Sequence, residues 1–179
     1  MEFSFRPAAL DDVPALRVLI AESARGLRAN YYTSEQVEAA LGTALGVDTQ
    51  LIRDGTYFVV EAEGTIVACG GWSKRKTLFG SDHVSGKDDA WLDPAHDPAK
   101  IRAFFVHPSW ARRGLGSMLM RACEKAARDA GFSRLELAST LPGVPLYLKH
   151  GFTPGERIDV PLKDGEKLPV VRMEKRLSG

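Results

Sequence analysis

The 179-residue chain has little cysteine, almost no net charge and no long apolar run. Its two cysteines, Cys69 and Cys123, argue against a disulfide framework. Both sit in apolar surroundings, on a predicted strand and a predicted helix, and read as reduced core residues. Neither joins a Cys-x-x-Cys motif, and His83, His96, His107 and His150 show no paired ligand spacing, so no metal site is expected. No apolar stretch approaches membrane-spanning length, and the first residues, Met1-Glu-Phe-Ser-Phe-Arg6, carry no basic-then-apolar leader. The expected location is the cytoplasm, with no membrane partner. A formal charge of +1 argues against bulk nucleic-acid binding. The length fits a single domain over residues 1–179, able to bury a core without disulfides or metal.

What charge there is lies unevenly. Residues 101–131 carry a net +4, suited to an anionic ligand, and residues 81–99 a net −4. The acidic stretch either favours a cationic substrate or reflects the habit of aspartates to populate turns.

Several elements are signalled along the chain. Phe3 to Pro7 alternates as a strand, and Asp11-Asp12 before Val13-Pro14 open a helix through about Ala24. Thr33 and Gln36 form a capping box for a helix with Val37, Ala40, Leu41 and Leu45 on its apolar side. Asp48 to Arg53 suits a further helical turn or two. Thr56–Glu61 and Thr65–Trp72 read as a hairpin around Glu63-Gly64. The polar segment 74–99 is long for a connection, which in a compact domain points to function or mobility. Strand 101–106, helix 115–130, strand 133–138, helix 143–150 and strands near 152–160 and 169–176 complete the chain.

Residues 101–117 carry the most specific pattern. The apolar run Ala103 to Val106 stops at His107-Pro108, and a short loop ends in Arg112-Arg113-Gly114-Leu115-Gly116 before a helix. Backbone N–H groups of such a loop, the helix N-terminus and two arginines converge on one place, which suits a phosphorylated ligand. No Lys follows Gly116, as a P-loop would need. Leu119 stands where a dinucleotide fingerprint has its third glycine.

The stretch resembles the pyrophosphate loop of the GNAT superfamily of N-acetyltransferases, Gln/Arg-x-x-Gly-x-Gly/Ala entered from a strand. Gly114 and Gly116 match, while Ala111 stands at the first position. Leu146-Tyr147-Leu148-Lys149-His150-Gly151-Phe152 resembles the family's aromatic-Tyr-x-x-x-Gly-Phe segment, with Leu146 in place of the aromatic. The resemblance is specific over roughly residues 100–155 and elsewhere rests on the order of elements.

That resemblance implies an α/β fold: a mixed, mostly antiparallel sheet, flanked by helices, whose central parallel pair, 101–106 and 133–138, splays to admit the pantetheine arm of acetyl-CoA. It implies acetyl-CoA as co-substrate, without metal. The backbone N–H groups of Arg112, Arg113, Gly114, Leu115, Gly116 and Ser117 would face the pyrophosphate, and those near Phe104 and Val106 would polarise the thioester carbonyl. Tyr147 would protonate the leaving thiolate, its alternative being a packing role. The implied reaction is direct attack by a primary amine, on a small molecule or an exposed protein amine, in a ternary complex. A homodimer is common among such proteins. The base stays open among His107, Glu61, His83, Asp93, His96 and a water chain, because the strand before the loop offers only Lys100 and Arg102. His107 is otherwise a turn residue, and Tyr31, Tyr32 and Trp72 line an acceptor pocket or pack in the interior. The competing readings are a non-catalytic acyl-CoA-binding or regulatory module of the same fold and a binder of ATP or NAD.

Overall fold

The computed structural model describes residues 2–27 and 30–178. Alternating residues Phe3–Pro7 form strand β1, and helix α1 covers Val13–Leu27. The predicted capping box opens α2 (Ser34–Ala40): Gln36 N–H donates to Thr33 Oγ1 (3.0 Å), and Thr33 N–H to Gln36 Oε1 (2.9 Å). This helix stops short of the expected Leu45. Gly42 adopts φ +83, and its N–H turns back to the Leu45 carbonyl at 2.8 Å. Asp48 then caps the short helix α3 (Thr49–Arg53) through Gln50 N–H at 3.0 Å.

Strands β2 (Tyr57–Ala62) and β3 (Thr65–Ser73) form the expected hairpin. The following segment starts as a paired excursion, with Lys76 N–H on Ala90 O and Leu92 N–H on Lys74 O. It returns as β4 (Ala99–Val106), which opens two residues earlier than the sequence suggests. Helix α4 (Leu115–Asp129), β5 (Arg134–Thr140), α5 (Val144–Lys149), β6 (Thr153–Pro161) and β7 (Lys167–Arg176) follow.

The seven strands form one sheet in the order β1-β2-β3-β4-β5-β7-β6, antiparallel except for β4 beside β5. Apolar side chains cover both faces. Met120, Cys123 and Ala127 of α4 bury against Trp72, Ile101, Leu135, Leu137 and Met173 on one face. Leu16, Leu19 and Ile20 of α1 pack with Leu51, Tyr57, Val59 and Cys69 on the other. Burial of side chains this size stabilises by roughly 1.5–3 kcal/mol each. Ser23, on the buried side of α1, has no hydrogen-bond partner for its hydroxyl among the described residues. No helix among them is long and apolar enough to cross a membrane.

Candidate active site

The parallel pair holds together over two rungs only, Ala99 with Leu135 and Lys100 with Glu136, and then parts. Beyond Lys100, β4 is laddered to β3 alone, so alternate backbone N–H and C=O groups of residues 101–106 face an open gap. A bulge deepens the divergence. Cys69 pairs with Phe105 and Gly71 with Arg102, so β4 carries an extra residue there. Ala103 absorbs it at φ +55, costly for a residue with a Cβ. The strain is held by Tyr57, whose hydroxyl donates to the Ala103 carbonyl at 2.7 Å. Gly70 serves the same corner: a Cβ there would meet the Phe104 ring at 2.5 Å.

The gap runs through the sheet. Phe104, Leu137 and Tyr147 belong to the α4 face, whereas Phe105, Ala138, Leu45 and Phe79 pack together on the α1/α2 face. A cavity of about 70 Å³ lies between them, lined from both sides. Among its lining residues only Arg102, Thr140 and Tyr147 have polar side chains.

Tyr147 comes from α5, with its ring against Phe104 and Phe152 at 6.2 and 5.8 Å. Its hydroxyl makes no hydrogen bond to any described residue, and burial holds its pKa well above the ordinary phenol value. It stays protonated, with its proton uncommitted at the cavity edge. Two contacts fix α5 on the first turn of α4. His150 Nε2 lies 2.9 Å from Ser117 Oγ, and a Cβ on Gly116 would meet Leu146 Cδ2 at 3.0 Å.

The loop before α4 has the expected backbone. Arg112 and Gly114 take φ +61 and +81, and Gly114 is an N-cap without a side-chain hydrogen bond. The first helical bond, Met118 N–H to Gly114 O, leaves the N–H groups of Leu115, Gly116 and Ser117 without intrahelical acceptors. Arg112 is exposed, while Arg113 stacks over the Trp110 ring at 4.8 Å. The positive end of a fifteen-residue helix thus opens on solvent beside the gap.

Other sequence candidates lie elsewhere. His107 caps the turn after β4 by accepting Ser109 N–H, and its Nε2 pairs with Glu22 at 2.8 Å. Glu61 pairs with Arg6, and Asp93 with His96 at 2.7 Å on the surface. His83 lines a separate depression with Arg17, Arg25 and Asp82. None of these four proposed bases lines the gap, and neither does His96. Tyr32 is a strut: its hydroxyl donates to Pro169 O (2.7 Å) and accepts Leu141 N–H (2.9 Å), and burial pushes its pKa up to about 12. Trp72 is a core residue set edge-on to Phe132, and Tyr31 is largely exposed. Segment 74–98 reaches the gap through Leu78, Phe79 and Gly80, whereas Asp88, Asp89 and Asp93 are not among the lining residues. Asp88 instead accepts Ala90 N–H, and Asp89 accepts the Thr77 hydroxyl. Sequence reasoning missed Asp48, Lys87 and the structural part of Arg102. The available signal was a basic residue inside an otherwise apolar strand.

The sequence profile of the Acetyltransferase (GNAT) family matches residues 21–152. A 53-residue stretch is 40% identical to an uncharacterized N-acetyltransferase, YjcF, of Bacillus subtilis, spanning 30% of this chain and 38% of that protein. Among solved structures, a GCN5-related N-acetyltransferase from Rhodopseudomonas palustris superposes with a TM-score of 0.73 at 21% identity, over 99% of this chain and 97% of that one. The PaiA N-acetyltransferase of Thermoplasma acidophilum, solved in complex with coenzyme A, superposes at 0.66 with 16% identity, over 98% and 99%. At these identities the superpositions establish the fold alone.

Proposed function

Because the chain belongs to the GNAT acetyltransferase family, we propose that it transfers an acetyl group from acetyl-CoA to a primary amine, on a small molecule or an exposed protein amine, in the cytoplasm. The observation that carries this reading is the junction of three features. A strand unpaired on one side leads into an uncapped helix N-terminus, and an uncommitted tyrosine hydroxyl lies beside both.

The residues divide the work by chemistry. The N–H groups of Leu115, Gly116 and Ser117, with the backbone of Arg112, Arg113 and Gly114, hold the pyrophosphate. Arg112 adds a free charge, while Arg113 braces the loop on Trp110. Backbone N–H groups of β4 near Phe104 and Val106, left unpaired by the splay, donate to the thioester oxygen, which becomes an oxyanion as the amine attacks. Such a donor is worth about 3 kcal/mol in the transition state. The C–N bond forms, the C–S bond breaks, and Tyr147 donates its proton toward the departing sulfur. The proton lost by the amine restores the balance through water, since no carboxylate or imidazole lines the gap among the described residues. The acceptor enters from the α1/α2 face, bounded by Leu45, Gly46 and Leu78 to Gly80.

A second reading, a non-catalytic acyl-CoA-binding module, shares the loop but gives the buried Tyr147 hydroxyl no task. Coenzyme A release, measured with acetyl-CoA and a panel of primary amines, separates the two. Titration calorimetry with acetyl-CoA, ATP and NAD runs alongside. Binding of acetyl-CoA without release on any amine supports the module, and tighter binding of ATP or NAD refutes both.

A further inference from the structure

Three features that cost folding converge on one peptide bond of β4. Ala103, at φ +55, is the only non-glycine residue of positive φ inside a strand among the described residues. Beside it β3 carries two consecutive glycines, Gly70 and Gly71, which weaken a strand. The Tyr57 hydroxyl is carried into the core on a residue only 2% exposed. Each has its use at the same place. A Cβ on Gly71 would meet Tyr57 Cδ1 at 2.7 Å, so the bare backbone there lets the ring cross β3 from β2. The hydroxyl then donates to the Ala103 carbonyl at 2.7 Å, with Cys69 Sγ 3.1 Å from the same oxygen. Burial raises the Tyr57 pKa well above the ordinary phenol value, so the proton is always present to donate.

The chain entering the bulge is anchored separately. Arg102 is 3% exposed and donates to Asp48 Oδ2 at 3.0 Å and to the Gly80 carbonyl at 2.8 Å. Lys87 Nζ reaches the same Asp48 oxygen at 2.9 Å. Burial alone would push the Asp48 carboxyl up, but the Lys87 hydrogen bond and the two cationic charges outweigh it and hold it below the usual carboxylate range. After Arg102 comes the peptide between Ala103 and Phe104. Neither residue is paired with one of β3, so the ladder does not fix that plane. The Ala103 C=O and the Phe104 N–H belong to one trans peptide and point in opposite directions. Tyr57 holds the oxygen from the β2–β3 side, which directs the Phe104 N–H to the side of β5, where Phe104 lines the gap.

We propose that Tyr57 is a positioning residue for acyl transfer: its hydroxyl pins the Ala103–Phe104 peptide and so aims the Phe104 N–H at the thioester oxygen. The inference rests on the gap being the acyl site. Infrared difference spectroscopy of acetyl-CoA isotope-labelled at the thioester carbonyl tests it without knowledge of the acceptor, with calorimetry of coenzyme A alongside. In the wild type the carbonyl band lies at lower wavenumber than in buffer, because an accepted hydrogen bond weakens C=O. Tyr57→Phe loses at least about half of that shift, while coenzyme A affinity stays within about twofold. Ala103→Gly keeps the shift, and Tyr57→Phe/Ala103→Gly recovers it, because glycine takes φ +55 without a Cβ to clash. A Tyr57 that only packs would move the melting temperature and leave the band in place. Ala103→Val, whose branched side chain opposes positive φ, also loses the shift with the hydroxyl intact, and carries the test where Tyr57→Phe does not fold. An unchanged band in Tyr57→Phe, or in Ala103→Val where Tyr57→Phe does not fold, overturns the inference alone. A wild-type band at its position in buffer, or failure of coenzyme A to bind the wild type, overturns the acyl-site reading and the inference with it.

Discussion

Removing one oxygen atom from Tyr147 separates chemistry from architecture. In Tyr147→Phe the ring keeps its contacts with Phe104 and Phe152, and no described residue loses a hydrogen bond. The melting temperature should therefore hold. The transition state loses a hydrogen bond to a sulfur gaining negative charge. Bonds to charged groups are worth about 1.5–3 kcal/mol, or a roughly 10- to 100-fold fall in kcat with acetyl-CoA affinity intact. Tyr32→Phe supplies the converse. Its hydroxyl bridges Leu141 N–H and Pro169 O, so its loss strands two backbone groups. That costs about 1–3 kcal/mol, and each kcal/mol lowers Tm by about 2–4 °C in a chain of this size. Coenzyme A release under saturating substrates, paired with thermal melts, reads both variants. A Tyr147→Phe enzyme with wild-type turnover where chemistry limits the rate, or with a Tm lowered like that of Tyr32→Phe, would refute the reasoning.

Three further outcomes are expected. Gly116→Val should weaken acetyl-CoA binding at least about tenfold; because its side chain also strikes Leu146, the double variant with Leu146→Ala relieves the packing, and recovery of affinity there would remove Gly116 from the phosphate site. Ser23→Ala should stabilise by about 1 kcal/mol in chemical denaturation, since it deletes a buried hydroxyl without a described partner; a loss of stability would show that the hydroxyl is satisfied. Asp12, held low by its hydrogen bonds to Arg6, Asp54, held low by Arg75, and Asp48 are all more acidic folded than unfolded. Their contribution is complete above the unfolded carboxylate pKa of about 3.9 and is lost as pH falls through the lower folded values, so stability should drop steeply below about pH 4. A flat stability profile down to pH 3 would contradict this.

What could be read from the sequence was local. Thr33 and Gln36 cap each other across three residues, and Gly114 sets its own left-handed turn; both are written in adjacent letters. The splayed pair came from family resemblance, while its cause lies far apart in the chain. Ala103 does not look like a bulge residue, and it becomes one because Tyr57 reaches its carbonyl from the hairpin. The early end of α2 turns on whether Gly42 continues a helix or reverses it, which periodicity does not decide. Of the two readings open for the aspartates of segment 81–99, a field for cations or turn residues, Asp88 and Asp93 follow the second by capping turns, and the apolar Leu78 and Phe79 reach the gap. In the sequence Arg102 is one positive charge of residues 101–131 and no candidate base; its partner Asp48 is invisible until the fold brings them together.

The two-rung junction of β4 and β5 carries a thermal consequence. So short a ladder cannot clasp the two halves of the sheet, so that task falls to α4. Its Met120, Cys123 and Ala127 touch Trp72 and Ile101 on one half and Leu135, Leu137 and Met173 on the other. The clasp is mainly oily, with one buried ion pair, Lys100 Nζ to Glu136 Oε2 at 3.2 Å, bridging the two strands beside it. Apolar burial weakens on cooling while hydrogen-bonded ladders do not share that dependence. Chilling should therefore loosen the seam between the halves before it loosens either half, and the width of the gap with it.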